Sequence, residues 1–363
     1  MPKTSTLDLL KKYPVARRFL FGFQGSSLPP RVRRWLGEKL AGVAIYPRNF
    51  KSIEHLASLT SEIKSIARRP VLIGIDQEGG TRFSLAEPFT QWPSPSDLGR
   101  LADAHAVEDI AHAISIELST AGCNLDFAPM LDLHVNAASP VTQVRSFGSD
   151  PVLVGTLGAA FLRGLASAGI FGCAKHFPGH GDAQVDPHED LPVFHGSAER
   201  LAQADLVPFA AAIAAGAPTI MTAHILLPNV DPAHPASLSR KILTGILREQ
   251  MRFNGLILAD DLGMGAIARR HSPGEAAVAT FGAGADIAMF CHDVSQVEPA
   301  MNETVRALDE GKLSVDEWIA AGERIEEALV RINQAAQPNL KIVGCAEHRA
   351  LAENLRARIT KLS

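Results

Sequence analysis

Eight short apolar runs punctuate this chain, each followed by a longer stretch with helical spacing, and few architectures accept that alternation. The runs are RFLFGF (18–23), AGVAIY (41–46), VLIGI (71–75), NLDFAPML (124–131), FGCAK (171–175), TIMTA (219–223), GLILA (255–259) and ADIAMF (285–290). They are apolar almost throughout, as strands buried on both faces of a parallel sheet must be. Between them lie amphipathic segments such as SIEHLASLTSEIKSIARR, AVEDIAHAISIELSTAG and PVLVGTLGAAFLRGLASAG. The last two end in Ala-Gly, a helix stop. Eight strands alternating with helices fit an α/β fold, either a (β/α)8 barrel or a doubly wound sheet.

The placement of the titratable residues favours the barrel. Asp76 follows VLIGI, Lys175 and His176 end FGCAKH, His224 ends TIMTAH, and Asp260 with Asp261 end LILADD. Barrel enzymes assemble their sites from the C-terminal ends of several strands in this way. A dinucleotide fold needs a glycine-rich turn after its first strand, and FGFQGSS has no GxGxxG; no P-loop occurs either. The expectation is one barrel domain over residues 1–363, with its core at about 15–335 and a helical extension over 338–363.

With 363 residues, 46% of them apolar, the chain can bury a large core without disulfides or metals to staple it. Its 35 basic and 39 acidic residues give a formal charge of −4, which offers no global field for nucleic acid or an anionic membrane. No apolar run approaches the roughly 18 residues of a spanning helix. MPKTSTLDLLKKYPVARR has no apolar h-region or small-residue cleavage site, so a cytoplasmic location is expected. Cysteines 123, 173, 291 and 345 form no CxxC pair, and three sit in apolar surroundings, as reduced core residues would.

The densest chemistry lies in Lys175-His176-Phe177-Pro178-Gly179-His180-Gly181-Asp182, followed by Asp186-Pro187-His188. Pro178, Gly179 and Gly181 break any regular element, so most of this is a shaped loop at a strand end. By residue type alone it is a metal site with His176, His180, Asp182 and His188 as ligands, an acid/base loop, or a set of structural hydrogen bonds at a rim. In Asp186-Pro187-His188 the outer side chains can meet across the proline, the carboxylate orienting the imidazole. In Asp260-Asp261 two adjacent carboxylates cannot both ionise cheaply in one dry pocket, so one should face the site and the other make structural hydrogen bonds. Asp76, in IDQEGGTR, sits before a Gly-Gly turn suited to a ligand-facing loop, or caps its own turn. Arg145, in RSFG, reads on spacing alone as a surface charge.

IDQEGG, LDFAPMLD, RSFGSDP, AKHFPGHGD with DPH, IMTAHILLPNVD with PASLS, and FNGLILADDLGM occur in the order seen in glycoside hydrolase family 3. The chain resembles that family from about residue 15 to 335, in particular its bacterial single-domain β-N-acetylglucosaminidases. The resemblance implies a (β/α)8 TIM barrel that hydrolyses terminal β-linked N-acetylglucosamine with retention and without metal or other cofactor. It implies Asp260 as the nucleophile that forms a glycosyl-enzyme intermediate, His188 as general acid/base and Asp186 as its dyad partner. Asp76, Arg145, Lys175 and His176 match positions that bind sugar hydroxyls, and Arg82 joins them. The chain departs from the family in reading Asp-Pro-His for Asp-Ser-His, ADDLGM for SDDLSM, and GGTRF for a first loop two residues longer.

The implied substrate is a small carbohydrate, a muropeptide of the form GlcNAc-(1,6-anhydro)MurNAc with or without peptide. The implied setting is peptidoglycan recycling by a monomer that uses neither nucleic acid nor membrane. A family 3 phosphorylase, a metal-dependent hydrolase using His176, His180 and His188, and a catalytically silent sugar-binding barrel are the competing expectations.

Overall fold

The computed structural model describes residues 6–183, 185–332 and 339–362. Eight parallel strands close into a barrel: β1 (Phe19–Phe21), β2 (Gly42–Ala44), β3 (Leu72–Ile75), β4 (Leu125–Asp126), β5 (Phe171–Phe177), β6 (Thr219–Thr222), β7 (Leu256–Asp261) and β8 (Ile287–Phe290). Each pairs with its neighbours in sequence, and β8 returns to β1 with Phe19 opposite Ala288 and Phe21 opposite Phe290. Every apolar run holds one strand. Two strands run further than the apolar pattern does: β5 continues through Lys175 and His176 to Phe177, and β7 through Asp260 to Asp261. Ladder bonds do not depend on side-chain polarity, so functional residues here extend strands whose apolar signal has already stopped.

Period-2 alternation divides the strand residues between two packed clusters. Leu20, Leu72, Leu125, Cys173, Met221, Leu258 and Met289 fill the barrel interior. Phe19, Phe21, Val43, Ile73, Ile220 and Ile257 face outward into the larger cluster shared with the helices. Ile325, Ala328 and Leu329, from the helix Val315–Arg331, join the interior cluster. That helix is tied to the residues before β1 and β8, with Arg17 bonded to Glu326 at 2.7 Å and Arg324 to Asp286 at 2.9 Å. The end where the strands begin is thereby plugged, and open space lies at the other end.

The three amphipathic segments are the helices Ile53–Ala67, Ala104–Thr120 and Pro151–Ser167. Side-chain oxygens of Ser52, Asp103 and Asp150 accept from the first-turn N–H groups, which otherwise have no intrahelical partner. Gly122 and Gly169, just past the second and third, have φ of 86° and 80°, the left-handed turn that their Ala-Gly endings predict.

Of the C-terminal extension, Pro338 lies outside the described residues, and Ala346–Thr360 forms a helix on the outside of the barrel. His348 Nδ1 lies 2.8 Å from the buried Glu117 carboxylate and anchors it. Cys123, Cys173 and Cys291 are buried and Cys345 is half-buried, all as free thiols. Among the described residues no helix is long and apolar enough to cross a membrane.

Candidate active site

The open end of the barrel encloses a cavity of about 370 Å³, and Asp76, Arg145, Lys175, His176, Asp186, His188 and Asp260 all line it. They come from the ends of β3, β5 and β7 and from the loops after β4 and β5. The C-terminal strand ends therefore build the site, as the placement of the titratable residues predicts.

On one wall four charges alternate in sign. Lys175 Nζ donates to Asp76 Oδ1 at 2.9 Å and to Glu78 Oε1 at 2.7 Å. Arg145 makes a two-pronged bond to Glu78, Nε to Oε2 at 2.8 Å and Nη2 to Oε1 at 2.7 Å. Its side chain is 7% exposed, which overturns the surface-charge reading of Arg145. The Phe83 ring lies 4.0 Å from the same guanidinium, in cation–π contact. Burial would depress the Lys175 ammonium, but Asp76 and Glu78 hold it well above the ordinary lysine range, so it stays charged. Gly79 and Gly80, at φ of 91° and 74°, turn the chain after Glu78 as the Gly-Gly pair predicts.

Beside this network Asp132 collects four donors. The backbone N–H of His176 and of His180 donate to it at 3.2 and 2.8 Å. Their Nδ1 atoms lie 2.7 and 3.1 Å from its two oxygens. Burial acts against ionisation, yet the imidazoles and their hydrogen bonds hold the Asp132 carboxyl well below the usual range. An ionised carboxylate only accepts, so each Nδ1 carries the hydrogen. Burial also lowers the His176 pKa, against the opposing pull of Asp132. A neutral His176 thus presents Nε2 as an acceptor.

The adjacent aspartates divide as expected. Asp261 Oδ1 accepts from the N–H of Gly263 at 2.9 Å and of Cys291 at 3.0 Å, a structural role. Its carboxyl is pushed up by burial and by Asp260. Asp260 accepts only the Asp261 N–H among the described residues, at 2.7 Å on Oδ1. Burial raises its carboxyl, but His176, His224, that N–H and Lys175 outweigh the effect and hold it below the aspartate norm. Neighbouring carboxyls pushed in opposite directions are the pattern of one working anion and one structural partner.

Asp186 and His188 line the same cavity, and Asp186 Oδ1 accepts from both the backbone N–H of His188 at 2.9 Å and its Nδ1 at 2.8 Å. The imidazole is 57% exposed, on a loop over the cavity. Arg82 stands at the rim, exposed, with Nη1 donating to the Pro140 carbonyl at 2.9 Å. It lines the cavity but does not enter the buried Lys175 network.

The proposed histidine trio does not come together. Among the described residues, the group close enough to share an ion is Asp132, His176 and His180, while His188 pairs with Asp186. Asp132 already accepts from both Nδ1 atoms, while the buried His180 Nε2 has no hydrogen-bond partner among the described residues. His224, another strand-end residue, packs away from the cavity. Its Nδ1 lies 2.7 Å from Ser237 Oγ and its Nε2 2.9 Å from the Asp261 carbonyl.

Glu78 and Asp132 received no role from the sequence, although both lie inside the motifs quoted there. The available signal was a carboxylate placed within a few residues of a buried strand end, which a turn cap displays equally well.

Comparison with known proteins shows which family the chain is similar to. The model of the glycosyl hydrolase family 3 N-terminal domain matches residues 31–333. A beta-hexosaminidase of Thiobacillus denitrificans is 37% identical over 303 residues, covering 82% of this chain and 81% of that protein. The structure of a family 3 β-N-acetylglucosaminidase from Paenibacillus sp. FPU-7 superimposes with a TM-score of 0.90 at 34% identity, over 98% of this chain and 68% of the other. NagZ from Neisseria gonorrhoeae, in complex with N-trifluoroacetyl-D-glucosamine, gives a TM-score of 0.76 at 30% identity, over 95% of this chain and 97% of the other.

Proposed function

The chain belongs to glycosyl hydrolase family 3 and is a glycoside hydrolase, and we propose that it releases terminal β-linked N-acetylglucosamine with retention of configuration. The observation that carries this reading is the Asp260 carboxylate, held ionised on the wall of a cavity whose rim bears the Asp186–His188 pair. Retention needs a nucleophile and a proton donor on opposite sides of the scissile bond.

In the first step Asp260 attacks the anomeric carbon while His188 gives a proton to the leaving oxygen, and the glycosidic bond breaks as the ester bond forms. In the second, His188 takes a proton from water, the water oxygen bonds to the anomeric carbon, and Asp260 departs as carboxylate. Asp186 accepts from Nδ1–H, which leaves Nε2 to carry the transferred proton. An imidazole can both give and take a proton in water near neutral pH, so one side chain can serve both halves of this cycle. Lys175, Arg145, Asp76 and His176 are positioned to hold the sugar hydroxyls, with Arg82 meeting the substrate at the rim.

The names of the relatives, a beta-hexosaminidase and a β-N-acetylglucosaminidase, favour an N-acetylated sugar. Disaccharide fragments of cell-wall turnover, with or without attached peptide, are the proposed natural substrates. The test is release of nitrophenol from 4-nitrophenyl N-acetyl-β-glucosaminide, with chelator present. Robust turnover supports the reading. An inactive protein that recovers with added zinc overturns it in favour of a metal-dependent hydrolase.

A further inference from the structure

We infer that Glu78 is a positioning residue of the sugar site, acting on substrate only through Lys175 and Arg145; this rests on the sugar-binding role proposed above for those two cations. Glu78 does not line the cavity, whereas Lys175, Arg145 and Asp76 do. Its side chain is 1% exposed and sits behind the two cations. One oxygen, Oε1, accepts from both Lys175 Nζ and Arg145 Nη2, each at 2.7 Å. The other, Oε2, accepts from Arg145 Nε at 2.8 Å and so fixes the plane of the guanidinium.

The charges explain why this residue matters more than an ordinary buried partner. Two cations share a single oxygen and would repel at that range without the carboxylate between them. Burial alone would raise the Glu78 carboxyl, but Arg145 and Lys175 bring it down to about 2. Among the described residues Lys175 has one other hydrogen-bonding partner, Asp76, and Asp76 itself faces the cavity. A sugar hydroxyl that engages Asp76 weakens that bond, and Glu78 then remains as the fixed anchor of the ammonium.

Glu78 is itself held rigidly. Its N–H donates to the Phe83 carbonyl at 2.9 Å, and the Phe83 ring lies over Arg145. A supporting shell locked in this way keeps hydroxyl-binding groups in register before substrate arrives.

The test compares wild type, Glu78→Gln and Glu78→Asp on 4-nitrophenyl N-acetyl-β-glucosaminide, with melting temperature as the fold control. Glu78→Gln should raise KM about tenfold or more and lower kcat by less, since hydroxyl contacts serve ground and transition states alike. Glu78→Asp keeps the charge and should recover a large part of that loss. In an Arg145→Met background the same Glu78→Gln change should cost less than about threefold, because one of its two targets is gone. A folded Glu78→Gln with KM and kcat within about twofold of wild type overturns the inference, as does an undiminished effect in the Arg145→Met background. If Glu78→Gln does not fold, Glu78→Asp decides: a KM raised about threefold is expected, and an unchanged KM overturns the role. An inactive wild type would instead overturn the proposed function and this inference with it.

Discussion

Asp186 and His188 face each other across Pro187, with one carboxylate oxygen accepting both the backbone N–H and the Nδ1 of the histidine. That pair of hydrogen bonds sets the rotamer and the tautomer together. If His188 supplies the leaving-group proton, its removal should matter most where the leaving group is a poor one. His188→Ala is expected to lower kcat/KM about 10²- to 10⁴-fold on an alkyl glycoside and much less on a dinitrophenyl glycoside. Equal losses on both leaving groups would show that His188 does not act as the acid.

Asp260→Ala should abolish turnover of the nitrophenyl substrate, by about 10⁴-fold in kcat, with the fold intact by circular dichroism. Asp260 makes one hydrogen bond to the described chain, so little structure depends on it. A variant as active as wild type would mean that the nucleophile lies elsewhere.

Lys175 and Arg82 both line the cavity but should differ sharply in weight. Lys175 is 3% exposed between two carboxylates, while Arg82 is exposed and held by one carbonyl. Lys175→Met strands Asp76 and leaves Glu78 with Arg145 alone, and should cost about 10²-fold or more in kcat/KM, while Arg82→Ala should cost about tenfold or less. Kinetics of the two variants under one set of conditions decide, and the reverse order would refute this ranking.

Asp205 predicts a pH dependence of stability. It lies beneath the loop that carries Gly179 and Gly181, and neither of its carboxylate oxygens has a hydrogen-bond partner among the described residues. Burial raises its carboxyl to about 6; Arg200, 3.8 Å away, offsets that only in part, while Asp132 and Asp182 add to it. Between its unfolded value near 3.9 and that folded value, the native state binds more protons than the unfolded chain. Stability contributed by protonated Asp205 is therefore lost as pH rises through that window. Asp132 and Glu78, whose carboxyls are lowered, titrate on the acid side of the window. Asp205→Asn should remove that residue's share of the decline and melt higher than wild type at neutral pH. Melting curves in pH steps check this, and an Asn variant that is less stable at neutral pH contradicts it.

A histidine donor repels an incoming phosphate less than a carboxylate would, so phosphate is a conceivable acceptor of the glycosyl group. A hydrolase should turn over equally fast in phosphate and in an inert buffer of the same ionic strength. Faster turnover in phosphate, with glycosyl phosphate among the products, would make it a phosphorylase.

The sequence by itself determined the barrel. Eight apolar runs too uniform to alternate, each with a helical segment behind it, leave few ways to bury both faces of every strand. It also located Asp76, Lys175, His176 and Asp260 at strand ends, because polar residues interrupting apolar runs are visible locally. The Asp186–His188 contact was legible for the same reason, being made across a single proline.

What only the tertiary structure decided is which carboxylate serves which cation. Glu78 meets Arg145 from 67 residues away, and Asp132 meets His176 from 44. Arg145 looked like surface charge until closure of the barrel supplied its buried partner. The histidine trio separated because His180 turns to Asp132 while His188 stays with Asp186. Barrel closure brings strand ends together irrespective of their distance along the chain, so local spacing shows which groups are present but not how they pair.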